Sequence, residues 1–125
     1  MTTLATIIPS ILNSLVNGRV YQDATPDQVL RGDDGTILPF VLWTRQGGND
    51  AEYLDQTMGV RRHARIQVFS MAPDSIGAEE LEEQVLQALL ASTYTVGVYG
   101  SPVGTFDAPR KLRGRRRFFS IQWTQ

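Results

Sequence analysis

The residues best suited to bind another molecule are six cations within a short stretch near the end of the sequence: Arg110, Lys111, Arg113, Arg115, Arg116 and Arg117. Guanidinium groups make charge-assisted hydrogen bonds to phosphates and carboxylates. Phe118 and Phe119 follow directly, and arginines beside aromatic residues are typical of surfaces that stack single-stranded nucleic acid. The run therefore predicts an anionic partner, which is either a nucleic acid or the acidic surface of a protein.

Carboxylates stand apart from these cations, in a stretch between residues 23 and 55 and in a group of glutamates between residues 79 and 83. Because the net charge is only −1, the whole molecule is not suited to polyanions, whereas separate patches of opposite sign suit contacts between copies of one chain. The same patches could instead meet within one subunit. The candidate interface residues are Arg113, Arg115, Arg116, Arg117, Asp33, Asp34, Asp50, Glu52, Asp55, Glu79 and Glu83.

Residues for catalysis or metal binding are sparse. His63 is the only histidine, and the arginines around it disfavour its charged form. No serine lies in a nucleophile-elbow motif, no glycine-rich phosphate loop precedes a helix, and no metal-binding motif occurs. The absence of cysteine excludes disulfides and thiolate metal sites. We therefore predict that the protein is not an enzyme and has no catalytic residues, cofactor site or metal site.

Length and composition indicate a single domain over residues 1–125. A chain of 125 residues that is 42% hydrophobic is long enough to bury one core. No apolar run approaches the ~18 residues of a transmembrane span, so we predict no membrane partner. The apolar N-terminal stretch has no basic residue before Arg19, which argues against a secretory signal. We expect that stretch to be part of the fold.

The spacing of apolar residues predicts two helices that could position the charged groups. The first begins near Thr6, so that Pro9 lies in its first turn, and ends at Asn17-Gly18. The second covers residues 78–92, with Asp74 or Ser75 capping its start. Its core stripe is formed by Leu81, Val85, Ala88 and Leu89, with acidic residues in the first turns, where the helix dipole favours them.

Strands are predicted at residues 19–22, 39–46 and 63–71, at two short stretches around Gly100 and Pro102, and at residues 112–123. Long polar loops cover residues 23–38 and 46–59. The fold class is α+β: one antiparallel sheet of four or five strands with two helices packed on one face. In the last strand, alternation places Arg115 and Arg117 on the core face. Their side chains must therefore emerge beyond the edge of the core or pair with carboxylates, because a buried unpaired charge is costly.

Five segments follow an apolar N-terminal helix along this sequence, each occurring once: "GRVYQDATP", "LPFVLWTRQGGNDAEYLDQ", "RRHARIQVFSMAPDSIGAEELEEQVLQALL", "GSPVGTFDAP" and "GRRRFFSIQWTQ". In their order and spacing, and over nearly its whole length, the chain resembles the tail terminator (tail-completion) proteins of long-tailed bacteriophages. These segments are patterns of fold rather than of chemistry, and the similarity lies in all of them together.

The resemblance implies a structural virion protein. It implies a homohexameric ring that caps the head-proximal end of the tail tube, ends tube polymerisation and joins the tail to the head connector. The implied partners are other copies of the chain, the tail tube protein and a head-completion or connector protein, with DNA passing through the ring lumen without specific binding. The implied location is the virion neck, after assembly in the host cytoplasm. The alternatives are another neck protein (head-closure or adaptor) and a nucleic-acid-binding module.

Overall fold

The computed structural model describes residues 3–24, 31–32, 35–47 and 61–124. Within these ranges the chain forms helices α1 (Leu4–Leu12) and α2 (Ser75–Ala91) and five strands: β1 (Val20–Gln22), β2 (Phe40–Gly47), β3 (Arg61–Ala72), β4 (Thr95–Asp107) and β5 (Leu112–Thr124). The strands form one sheet in the order β1-β2-β3-β5-β4. The α+β prediction, with five strands, is confirmed.

The sheet departs from the prediction at one edge, where β1 runs parallel to β2 and the other neighbours are antiparallel. A parallel pair cannot be joined by a tight turn and needs a crossover of a dozen or more residues. The polar stretch between Gln22 and Phe40 is long enough for this crossover. Arg19 connects the starts of the two strands, because its Nε donates to the Pro39 carbonyl at 2.8 Å.

The main core lies between the two helices and one face of the sheet, here called the helix face. It is built from apolar residues of both helices and from alternate residues of the strands: Leu4, Ile7, Ile8, Leu12, Leu81, Val85, Leu89, Val41, Trp43, Ala64, Ile66, Val68, Phe119, Ile121 and Trp123. A smaller cluster of Ile37, Phe40, Met71 and Leu112 covers one end of the opposite face. The apolar alternation therefore places both helices on one face, as predicted.

Helix α1 begins earlier than the sequence suggested, and Pro9 lies in its interior. The first turn is closed by the N–H groups of Thr6 and Ile7, which both donate to the Thr3 carbonyl at 3.0 Å. The earlier start buries Leu4 against the core, which offsets the backbone hydrogen bond that proline cannot donate. The α-helix ends at Leu12, before the predicted stop at Asn17-Gly18. A 3₁₀ turn over Asn13–Leu15 follows, and the chain then turns at Gly18, which has the positive φ of 84° that the prediction assigned to a glycine cap.

Helix α2 also begins three residues earlier than predicted, at Ser75. Of the two possible capping residues, Asp74 makes the contact: its Oδ1 accepts a hydrogen bond from the Gly77 N–H at 2.6 Å. The predicted core stripe is confirmed at Leu81, Val85 and Leu89. The sequence prediction did not include Glu82, which is also buried.

Strand β4 is one strand of thirteen residues, and the prediction of two short strands is wrong. The chain does not leave the sheet at Gly100 and Pro102. Instead the register shifts between Tyr99 and Val103, so three residues of β4 stand opposite Arg117 alone. Gly100 allows this irregularity through its positive φ of 65°. Proline is tolerated there because β4 is at the edge of the sheet and, among the described strands, pairs only with β5.

Candidate assembly surface

Strand β5 distributes the predicted arginines over both faces of the sheet. Its register with β3 pairs Arg117 with Val68 and Ile121 with Ala64, which puts Arg115 and Arg117 on the helix face, as alternation predicted. Arg116 pairs with Phe69 and lies on the opposite face. The four arginines predicted as interface residues therefore do not form a single patch, and each has its own neighbours.

Arg117 forms a nearly buried ion pair within the chain. Its Nε lies 3.1 Å from Oε1 of Glu82 on α2, and the two side chains are only 13% and 9% exposed. The N–H does not point at the oxygen, so the contact is an ion pair without hydrogen-bond geometry. The sequence predicts that Arg117 either emerges beyond the edge of the core or pairs with a carboxylate. The structure shows the second arrangement, with the carboxylate in the same subunit.

Glu82 is the partner of Arg117 that sequence reasoning missed. By sequence it belongs to the group of glutamates between residues 79 and 83, yet it is 7% exposed and follows Leu81 on the buried side of α2. The available signal was its spacing of three residues before Val85 and seven before Leu89, which a 3.6-residue period places on the same side of the helix as these core residues. A carboxylate at such a position requires a counter-charge, and Arg117 supplies it.

Arg115 makes a weaker contact with the same helix. Its Nη1 lies 3.7 Å from Oε1 of Glu79, and the side chains are 30% and 61% exposed. Exposed pairs of this length contribute little to stability. Arg115 Nε is buried and has no hydrogen-bond partner among the described residues, so this guanidinium retains donor capacity.

Arg113 and Arg116 have no carboxylate partner among the described residues. The Arg113 guanidinium lies over the Phe106 ring of β4, 4.3 Å from its centre, and the residue is exposed. Arg116 lies beside Phe69 and Val103 in the sheet register, and its buried Nε lacks a hydrogen-bond partner. These two arginines are the predicted interface cations that the described part of the chain leaves free for an external anion.

The predicted carboxylates divide into two groups. Glu79 and Glu83 lie exposed on α2, where Glu83 accepts a hydrogen bond from Gln87 at 3.1 Å. The remaining five lie outside the described residues: Asp33, Asp34, Asp50, Glu52 and Asp55. Most of the long loops predicted at residues 23–38 and 46–59 falls outside them as well.

A cleft of about 280 Å³ opens beside the arginines, between the start of α2 and the β4–β5 hairpin. Ser75, Phe106, Arg113 and Arg115 are among its lining residues. The Arg113 guanidinium is stacked over the Phe106 ring, and the guanidinium groups of Arg113 and Arg115 together suit a carboxylate carried on a short side chain. The cleft therefore offers two cationic side chains to an anionic group.

The described residues contain no other arrangement that suggests chemistry. No three His, Asp or Glu side chains in these ranges lie close enough to hold a metal ion. His63 is half-buried on β3, on the face opposite the helices. In the part of the chain that the structure covers, no helix has the length and apolarity required to cross a membrane.

Comparison with known proteins agrees with the architecture described above. A chain in the virion of a native gene transfer agent (GTA) particle has a similar fold, with a TM-score of 0.53 and 21% identity, over 93% of this chain and 86% of that chain. No curated protein is significantly similar in sequence. The family model described as Tail completion protein gp17 matches residues 9–118, which is most of the chain. The resemblance read from the sequence is thus confirmed, and the chain belongs to the Tail completion protein gp17 family, whose members are structural proteins of phage tails.

Proposed function

We propose that this protein forms a ring of six copies that caps the head-proximal end of the tail tube, ends tube polymerisation and joins the tail to the head connector. The observation that carries the proposal is the match to the tail completion family over residues 9–118. The contacts of such a ring are with the tube protein, with a head-completion protein and with neighbouring copies. DNA passes through the lumen without sequence-specific contacts, and assembly takes place in the host cytoplasm.

The distribution of charge supports contacts between copies. A ring is held by a heterologous contact, in which two different patches of each subunit meet. Arg117 and Arg115 face carboxylates of their own subunit, so we assign the contact between subunits chiefly to Arg113 and Arg116. Their acidic partners are drawn from the remaining predicted carboxylates: Glu83, Asp33, Asp34, Asp50, Glu52 and Asp55.

The function is tested by deleting the gene in the phage that encodes it and complementing it from a plasmid. We expect the deletion to yield heads and tails that do not join, with tails of uncontrolled length in electron micrographs. Complementation by the wild-type chain restores joined particles and one tail length. Normal tail length and normal joining in the deletion strain would contradict the proposal.

The proposed position of the protein at the neck is tested by locating it in purified particles. This test does not depend on the family to which the chain belongs. A peptide tag at one end of the chain, detected with gold-labelled antibody, is expected at the junction of head and tail. Label at the distal tip of the tail would contradict a role in tube termination. An untagged particle is the control for background labelling.

A further inference from the structure

Among the residues that the structure describes, the large apolar side chains that are exposed lie on two elements. In the described part of the chain, every exposed large hydrophobic residue lies on β4 or α2: Val98, Tyr99, Val103 and Phe106 on β4, and Ile76 and Leu90 on α2. Scattered single residues of this kind need no explanation. The register places Val98 and Phe106 on the helix face and Tyr99 and Val103 on the opposite face, so β4 is apolar on both sides of its outer edge, and together with the two residues on α2 these side chains define two surfaces.

The first surface is the free edge of β4, here called the β4 edge. Residues 95–106 carry no charged side chain, although charged residues are a common means of keeping an edge strand from pairing. Its aromatic residues are flanked by arginines on both faces: the Arg65 guanidinium lies 5.0 Å from the centre of the Tyr99 ring, and Arg113 lies over Phe106. The β4 edge is thus an apolar strip between cations, and the anion-suited cleft opens at its Phe106 end.

The second surface is the outer stripe of α2, formed by Ile76, Glu83 and Leu90. A spacing of seven residues places these side chains on one line along a helix. Ile76 is 68% and Leu90 50% exposed, and exposed glutamates stand between and beside them. The outer stripe is therefore apolar and acidic, while the β4 edge is apolar and basic.

We propose that the β4 edge of one copy is covered by the outer stripe of α2 of a second copy. We assign a second copy of the chain as the partner because the charges are complementary. The chain itself carries an apolar, acidic helix face that matches the apolar, basic edge. Covering by a helix is one of the ways in which edge strands are protected. A glutamate of the neighbour enters the cleft and meets Arg113, whose guanidinium lies over the Phe106 ring and has no carboxylate partner among the described residues.

This contact rests on the proposed function and makes it more specific. It joins two different surfaces of the same chain, so it is heterologous. Any open assembly therefore has a free β4 edge at one end and a free outer stripe at the other. Copies therefore continue to add until a ring closes. An edge-to-edge contact of two β4 strands would instead be isologous and would stop at a dimer.

The absence of cysteine in the sequence allows a direct test by thiol crosslinking. Val103→Cys and Leu90→Cys variants are co-expressed to complement the deletion phage, and purified particles are treated with a short bis-maleimide. We expect a crosslinked dimer when both variants are present and none with either variant alone. Pairing Val103→Cys with Ser14→Cys, an exposed position outside both surfaces, is the matched control.

The other outcomes overturn the contact in distinguishable ways. A dimer formed by Val103→Cys alone would show that two β4 edges meet. No dimer in particles that hold several copies of the protein, counted by mass spectrometry, would leave the ring in place and reject this interface. Fewer than two copies per particle would reject both the interface and the proposed ring.

A charge exchange tests the same contact without crosslinking. Arg113→Glu and Glu83→Arg are each expected to weaken assembly by roughly tenfold or more, because each brings like charges together. The double variant is expected to recover most of the loss. Lys111→Glu, an exposed reversal in the same hairpin, is the matched control and is expected to assemble normally. Failure of the double variant to recover, with thermal unfolding unchanged from wild type, would overturn the proposal.

Discussion

At the scale of single residues, the nearly buried ion pair between Arg117 and Glu82 gives the most direct test of the structure. We expect Arg117→Met to lower the free energy of unfolding by about 3 kcal/mol, since removing one partner leaves the other charge buried and uncompensated. The double variant Arg117→Met/Glu82→Leu should regain most of that stability, because it removes both charges from the core. Urea unfolding of the three proteins measures both effects.

Arg115 provides the matched control for this prediction. It lies two residues away on the same face and faces Glu79, but this pair is longer and more exposed. Arg115→Met is therefore expected to change the free energy of unfolding by no more than about 0.5 kcal/mol. Equal losses at both arginines would show that burial does not determine the strength of these pairs.

At Gly114 the absence of a side chain allows Met71 and Thr105 to pack closely against the backbone. A Cβ at this position would lie 2.6 Å from Thr105 Oγ1 and in still closer contact with Met71 Sδ, and Met71 is buried. We expect Gly114→Ala to lower the free energy of unfolding by roughly 2 kcal/mol, as overpacking does. Gly104→Ala is the control, because a Cβ there meets no atom within 4 Å. A Gly114→Ala protein as stable as Gly104→Ala would contradict this packing.

At the scale of elements, the start of α2 depends on one capping side chain. Asp74 Oδ1 accepts from the Gly77 N–H, so Asp74→Ala leaves that donor without its partner. We expect a loss of about 1 kcal/mol in the free energy of unfolding. Ser75→Ala is the control, since no cap contact involves the Ser75 side chain. If thermal unfolding shows equal losses for the two variants, the cap is not the stabilising contact.

What could be predicted at this scale was set by local periodicity. The period-two pattern at β3 and β5 correctly placed Ile66, Val68, Phe119 and Ile121 on one face, because neighbouring side chains in a strand point to opposite sides. The continuity of β4 was not predictable in this way, since Gly100 and Pro102 are typical of a turn. The strand continues past them because the residues on either side, up to Tyr99 and from Val103 onward, pair with β5, and this pairing is not visible in the local pattern.

At the scale of the whole molecule, the features that sequence reasoning missed are those that depend on how distant elements meet. The direction of β1 relative to β2 follows from the crossover between them, and no local pattern records it. Likewise Glu82 was identified as acidic, but its pairing with Arg117 depends on which side of α2 lies over β5. Sequence periodicity predicts the face that an element buries; it does not predict the residue opposite.

The proposed contact between copies predicts how assembly responds to salt. Its ion pairs lie at an exposed surface, and the screening length falls from ~10 Å at 0.1 M salt to ~3 Å at 1 M. We therefore expect sodium chloride to lower the mean mass measured by light scattering at a fixed, high protein concentration. The thermal unfolding of the subunit should change much less over the same range, because Arg117 and Glu82 are shielded from solvent. An assembly that grows with salt would show that apolar contacts at the β4 edge outweigh the charges around it, and Arg113→Glu would then have little effect.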